Sequence, residues 1–321
     1  MLYVIFTNDL PSSIFTCEKH QGETNIQNEI FCKDCGSVCS YADDSTLTVS
    51  GKDPIELSAK LSEKFEIVSD YLKSNKLKVN EEKTQLLLMT TEQNRRKNNP
   101  TITLTTNSGE IEPMENATIL GGLVDQNLKW KEFIVDADKS LVKSLNTRLN
   151  AFKKVCSTAD KKTKLMVANG LLISKLIYLL PVWGGCGSGL IRMLQVIQNN
   201  AARYITRSVW YTSTSELMKG CNWLSVSQLA AYHSILTVKK ILLVKEPLYF
   251  YDKFNSQYPL NTRLAASRGI RMDERFQADL ALSQSSFRWR ASQLYNRIPL
   301  ELRIPQFKVK LKEWVLNNIP L

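Results

Sequence analysis

The sequence predicts an α+β chain in two parts, and three observations carry that prediction. Over residues 1–130, short runs of β-branched and aromatic residues alternate with turn residues around one long amphipathic helix. Beyond Trp130, apolar residues recur at helical spacing almost without interruption. The charge also changes sign: residues 1–130 hold 13 Lys and Arg against 19 Asp and Glu, and residues 131–321 hold 29 against 12. The first part is therefore acidic, at −6, and the second strongly basic, at +17. A basic half suggests a polyanion partner, with nucleic acid the foremost, and an acidic tip suggests cations.

With 321 residues, 43% of them hydrophobic and 23% charged, the chain can bury a sizeable core and divide into about two domains. The longest apolar run, residues 170–183, is interrupted by Ser174 and Lys175 and falls short of the roughly 20 residues a bilayer needs, so no membrane span is expected. The opening MLYVIFTNDLP lacks a basic n-region and a small-residue cleavage site, so no targeting segment is expected either. That places the protein inside the cell, in nucleus or cytoplasm. Of seven cysteines, Cys156, Cys186 and Cys221 stand alone in apolar surroundings and read as buried reduced thiols.

In chain order, residues 2–6 are an apolar run closed by Asn8-Asp9-Leu10-Pro11, a strand or a helix end that reads as part of an element continuing upstream. A polar insertion follows at residues 12–37. Its Cys17-x2-His20-x11-Cys32-x2-Cys35 has the paired-ligand spacing of a tetrahedral Zn²⁺ site, with Cys39 as a substitute ligand. The alternative is a loop with incidental thiols. Residues 38–50, VCSYADDSTLTVS, set the adjacent acids Asp43 and Asp44 between two strand-forming runs and predict a hairpin with an acidic turn. Acidic turns are ordinary by themselves, because solvent screens the pair.

Asp53 and Pro54 predict the cap and first turn of a helix over residues 55–77, in which Leu57, Leu61, Phe65, Val68 and Leu72 share a face. A strand over 84–90, a polar loop over 92–100, a strand over 101–106, a turn at Asn107-Ser108-Gly109 and a strand through Ile119-Leu120 complete the first part. Helices are predicted over 131–155, 160–180, 190–209 and 225–244, a connection over 246–275, and two amphipathic segments over 285–321 split at Pro299 and Pro305. Lys139, Lys143, Lys153, Lys154, Lys161, Lys162 and Lys164 give the first of these helices and its junction a basic exposed side, and Arg203 and Arg207 form an i, i+4 pair on the third. All but Lys164 are the candidate contacts for a nucleic-acid backbone.

Taken together, several segments resemble the later part of a reverse transcriptase from a non-LTR retrotransposon of the jockey-like, LINE-type kind. Tyr41-Ala42-Asp43-Asp44 resembles the metal-binding hairpin of the palm, and residues 77–84, LKVNEEKT, the helix-to-strand segment after it. Residues 119–130, ILGGLVDQNLKW, resemble the primer-grip turn, and Phe6-Thr7-Asn8-Asp9-Leu10-Pro11 the stretch leaving the template-contacting helix. Residues 178–183, 286–290 and 294–299 resemble thumb and C-terminal segments more loosely, so the likeness covers nearly the whole chain.

The resemblance implies a partial polymerase palm at 1–130 with the Cys/His insertion, a helical thumb at 131–245, and a connection with a C-terminal helical region at 246–321. It implies RNA-directed DNA synthesis by two Mg²⁺ about 4 Å apart, held by Asp43 as principal and Asp44 as supporting ligand. RNA template, DNA primer and dNTP are the implied partners. Tyr41 and Ala42 would lie at the primer end. Lys83 would sit near the incoming nucleotide, or else be a surface lysine at a strand edge. Gly121 and Gly122 would let backbone approach the primer, although turn formation also accounts for them. The family needs a further aspartate on an earlier palm strand and a set of fingers. The 40 residues before Tyr41 resemble neither, so the chain is expected to be inactive alone. Two other readings stand beside this one: a basic nucleic-acid-binding module without chemistry, and an unstable remnant without function.

Overall fold

The computed structural model describes residues 31–32, 36–98, 100–246, 250–251, 254, 286–299, 302 and 308–320. Of these, residues 31–128 form one compact unit and 129–320 a second. The mixture of helices and small sheets agrees with an α+β chain.

In the first unit, β1 (Phe31–Cys32), β2 (Gly36–Tyr41) and β3 (Asp44–Thr48) form an antiparallel sheet in that order. Val38 pairs with Leu47, and the two-residue period of a strand turns both toward α1 (Pro54–Ser74). The helix starts where its cap residues predict: the Asp53 carboxylate accepts the Glu56 N–H at 3.3 Å and Pro54 occupies the first turn. It ends at Asn75, and Lys76 follows with φ 60°. One helix serves two apolar clusters. Val68 and Leu72 pack with Val38, and Leu61 packs with Leu86, Ile102 and Leu104.

The strands are shorter than their sequence runs. Of the strand expected over 84–90, only two residues form β4 (Leu86–Leu87), which pairs in parallel with β7 (Pro113–Met114), and a 3₁₀ turn, Glu81–Lys83, precedes it. The turn forms because the Asn80 side chain accepts the Lys83 N–H at 3.3 Å. Residues assigned to a polar loop instead form α2 (Glu92–Asn98), capped by the Thr91 hydroxyl on the Asn94 N–H at 3.2 Å and carrying a Glu92–Arg96 ion pair at i, i+4. With no apolar face, that helix left no periodic signal. β5 (Leu104–Thr106) and β6 (Gly109–Ile111) make a hairpin, and the Ser58 and Ser62 hydroxyls of α1 accept the N–H groups of Thr103 and Thr105. β8 (Asn116–Ile119) and β9 (Gly122–Asp125) make another.

The second unit is helical. The helix expected over 131–155 is broken: residues Glu132–Asp136 form a π turn, and α3 (Leu141–Val155) starts afresh from Ser140, whose hydroxyl accepts the Lys143 N–H. α4 (Lys161–Ala168), a π turn at Asn169–Ile173 and α5 (Ser174–Ile177) run through most of the next expected helix. Leu179, at φ 54°, then turns the chain into α6 (Leu180–Trp183). There follow α7 (Ser188–Thr206), α8 (Thr214–Cys221), α9 (Val226–Val244), α10 (Phe287–Arg297) and α11 (Lys308–Asn318). α8 carries a Ser213/Glu216 capping box, a sequence signal that the helix assignment overlooked. α9 is buried along most of its length between α6, α7, α10 and α11, and only its last turns, with Lys240, Leu243 and Val244, face water. Cys156 and Cys221 are buried and Cys186 half-buried, all three as free thiols.

Candidate active site

The β2–β3 hairpin closes with the two-residue turn Ala42-Asp43, flanked by the Tyr41–Asp44 pair. Of the two central residues only Ala42 has a positive φ, 51°, a conformation that costs a side-chain-bearing residue about 1 kcal/mol or more. The hairpin holds it there because Val38 is buried beneath and the Ser40 and Ser45 hydroxyls meet at 2.9 Å across the ladder. Strand alternation puts Val38 and Leu47 on the covered face and leaves Tyr41 and Asp44 on the opposite one, with Asp43 at the tip. Tyr41 is 68% exposed, and both aspartates are exposed. No hydrogen bond or ion pair engages either carboxylate among the described residues.

Two adjacent carboxylates in water repel by roughly 1 kcal/mol, which the hairpin tolerates. Their chemistry suits a hard divalent cation: oxygen donors, anionic, uncommitted and fixed on a braced edge. They supply only part of a coordination shell, since no group of three His, Cys, Asp or Glu side chains gathers among the described residues. The zinc candidates Cys17, His20 and Cys35 lie outside the described residues, as does the side chain of Cys32, and Cys39 is exposed.

Lys83 is exposed at the end of the 3₁₀ turn rather than on a strand edge. Its neighbour Glu81 accepts the Ser108 N–H at 3.0 Å, which ties that turn to the β5–β6 hairpin, and the Ser108 and Thr106 side chains, Ser108 foremost, hold the Glu81 carboxyl below its usual range. In the β8–β9 hairpin, Leu120 at φ 48° and Gly121 at φ 75° are the two central residues, both positive as a type I′ turn requires. Gly121 uses glycine's freedom, whereas Gly122 is a buried residue of β9 paired with Ile119. Arg95, which sequence reasoning passed over, reaches from α2 to the segment beyond this hairpin. Its guanidinium donates to the Asn127 Oδ1 at 2.7 Å and to the Leu88 carbonyl at 3.4 Å, while buried Asp125 accepts the Asn127 N–H at 3.0 Å.

The basic residues of the second unit separate into several kinds. Lys139, Lys154, Lys161 and Lys162 are exposed; Lys143 is exposed with its ammonium 3.7 Å from Asp138; Lys153 is half-buried. Lys164 departs from the expected exposed stripe: it is only 4% exposed, its ammonium 4.6 Å above the Tyr204 ring. Arg203 is half-buried and donates to Asn200. Arg207 lies beyond the end of α7 at φ 55°, so it does not continue the helical face that an i, i+4 pair with Arg203 assumes.

No family model matches the chain, and no solved structure matches it. It is similar to a probable RNA-directed DNA polymerase from transposon BS of Drosophila melanogaster, with 25% identity over 248 residues. The similarity supports a relationship to reverse transcriptases. It covers 73% of this chain, and the chain spans 24% of the length of that curated relative.

Proposed function

We propose that the chain is a portion of an RNA-directed DNA polymerase from a non-LTR retrotransposon of the jockey-like kind, with palm residues at 1–130, thumb at 131–245 and a C-terminal region at 246–321. The observation that carries this reading is the Ala42-Asp43 turn, which presents two exposed and uncommitted carboxylates at the tip of a braced hairpin, in a chain similar to a transposon polymerase. Asp43 and Asp44 hold Mg²⁺, which when bound supplies charge stabilisation for the attacking and leaving oxygens. Tyr41 and Ala42 position the primer end, Gly121 lets backbone approach it, and Lys83 serves the incoming nucleotide. RNA template, DNA primer and dNTP are the partners, and the site is intracellular. Two carboxylates do not complete a two-metal site, so the chain by itself does not extend a primer.

The test pairs two measurements on the purified chain. Mn²⁺ titration followed by electron paramagnetic resonance is expected to show binding that Asp43→Ala/Asp44→Ala removes, and unchanged binding in that variant would refute the ligand assignment. Primer extension on an RNA template with Mg²⁺ and dNTPs is expected to give no product, and robust synthesis overturns the claim of inactivity. A structural Zn²⁺ on Cys17, His20, Cys32 and Cys35 belongs to the same proposal, and stoichiometric zinc lost in Cys32→Ser/Cys35→Ser is its expected signature.

The net charge of +17 on residues 131–321 favours a second reading, a module that holds an RNA–DNA duplex without chemistry. Seven phosphate contacts give a log K against log salt slope of about −6, and a slope near zero removes this reading.

A further inference from the structure

Folding gathers one end of the helical unit from four stretches of sequence. The Tyr204 hydroxyl of α7 donates to the Lys153 carbonyl at 2.8 Å, which brings the end of α3, with Lys154 beside it, against the last turns of α7. The Lys164 ammonium sits over the same Tyr204 ring at 4.6 Å, which brings in the start of α4 with Lys161 and Lys162. α8 packs alongside, since a Cβ on Gly220 would lie 3.0 Å from the Thr206 Cγ2 and the Asn199 amide donates to the Thr214 hydroxyl at 2.9 Å. Burial pushes the Cys221 thiol at the end of α8 up to about 11, and the Lys161 charge partly opposes that rise, so Lys161 lies within electrostatic reach of α8.

Between α7 and α8, a loop leaves Arg207 and returns along the last two turns of α7, with a turn closed by the Thr212 N–H on the Val209 carbonyl at 3.2 Å. At its tip stand Trp210 and Tyr211, 83% and 71% exposed, in an edge-to-face pair with centroids 5.6 Å apart. Two large rings left side by side in water offer adjoining apolar faces to a partner. The acids of this end are committed: Asp160 caps the Thr163 N–H at 3.1 Å, and Glu216 closes the capping box with Ser213.

We propose that this end of the bundle binds single-stranded nucleic acid, with Lys154, Lys161, Lys162 and Arg207 on phosphates and Trp210 and Tyr211 stacking on unpaired bases. A single strand is favoured over a duplex because paired bases bury the faces that an exposed ring can cover, and because backbone cations beside aromatic platforms are the combination that single-strand sites use. The proposal rests on the nucleic-acid reading of the basic half but not on the acidic hairpin.

The test uses the full chain and fluorescence anisotropy with labelled oligothymidylate of about 20 nucleotides, a duplex of equal length, and vesicles containing phosphatidylserine, across a salt series. The single strand is expected to bind more tightly than the duplex. Trp210→Ala/Tyr211→Ala is expected to weaken it by about 10- to 100-fold at an unchanged salt slope, while Trp210→Phe retains most of the affinity. Lys161→Gln/Lys162→Gln is expected to flatten the slope by about 1.4. Circular dichroism checks that the variants fold, as changes at exposed rings should allow. Affinity for the single strand untouched by the aromatic double change, an equal loss of duplex affinity in that variant, or binding to vesicles without binding to oligonucleotide each overturns the proposal. The Mn²⁺ titration reads the polymerase proposal separately, so the two can fail independently.

Discussion

The two units of this protein differ in what their folding supports. In the first, strands of two to six residues surround one long helix, α1, which serves two small clusters edged by half-buried side chains. In the second, helices wrap α9, and the largest fully buried side chains of the described residues, led by Trp183, Phe152 and Phe254, all belong to it. The acidic unit thus holds its two uncommitted carboxylates on a thin frame, whereas the basic unit secures a deep core, buries Lys164 and Lys239 and leaves most of its other cations at the rim. Precise presentation of two carboxylates needs only a short ladder with one buried anchor. A surface for a long polyanion needs a body large enough to spread charge over.

The largest test of that contrast is core truncation. Phe152→Ala is expected to cost about 3–5 kcal/mol in urea unfolding of the second unit, and Leu61→Ala about 2 kcal/mol in the first, where half-buried neighbours can close over the gap. Equal losses break the contrast. Helix caps come next. Ser225 is fully buried and makes a reciprocal box with Gln228, so Ser225→Ala is expected to cost about 1–2 kcal/mol, while exposed Asp53→Ala costs about 0.5–1 kcal/mol.

Ala42→Gly sharpens the comparison at the acidic tip. It relieves the positive φ but adds chain freedom when unfolded, so a change within about 1 kcal/mol is expected, with Mn²⁺ affinity as the informative readout. A weaker affinity would show that the Cβ at Ala42 helps hold the two carboxylates in place.

The smallest effect expected is on pH dependence. Glu81, through Ser108, and Asp160, through Thr163, both have carboxyls held below their ordinary range. A depressed carboxyl stabilises the fold at pH above its unfolded value and loses that contribution as pH falls through the folded one. Glu81→Gln and Asp160→Asn are therefore each expected to flatten the acid limb of stability, in the first and second unit respectively.

Much of the fold is legible locally. Asp53-Pro54 begins α1, Asn75-Lys76 ends it, and β-branched runs around Asp43-Asp44 make the hairpin, because caps, turn residues and side-chain period act within a few residues. Helix α2 was illegible for the converse reason: a helix polar on every side is stabilised by a cap and an ion pair and shows no apolar stripe. Of the candidate site, the acids and a glycine turn after Ile119 could be read from the sequence, although the turn falls at Leu120-Gly121 and Gly122 belongs to β9; Arg95 could not, since two of its partners lie 31 and 32 residues away.

By itself, then, the sequence determined where α1 and the acidic hairpin start and stop, which part is acidic and which basic, and which two carboxylates stand together. Only the tertiary structure decided which charges face water. Lys164 looks like its neighbours in sequence yet lies buried on Tyr204, and Lys154, Lys161 and Arg207 come to one end of the bundle because α3, α4 and α7 pack there. Those contacts arise between side chains far apart along the chain. No local propensity encodes them, and packing alone settles which partner each side chain meets.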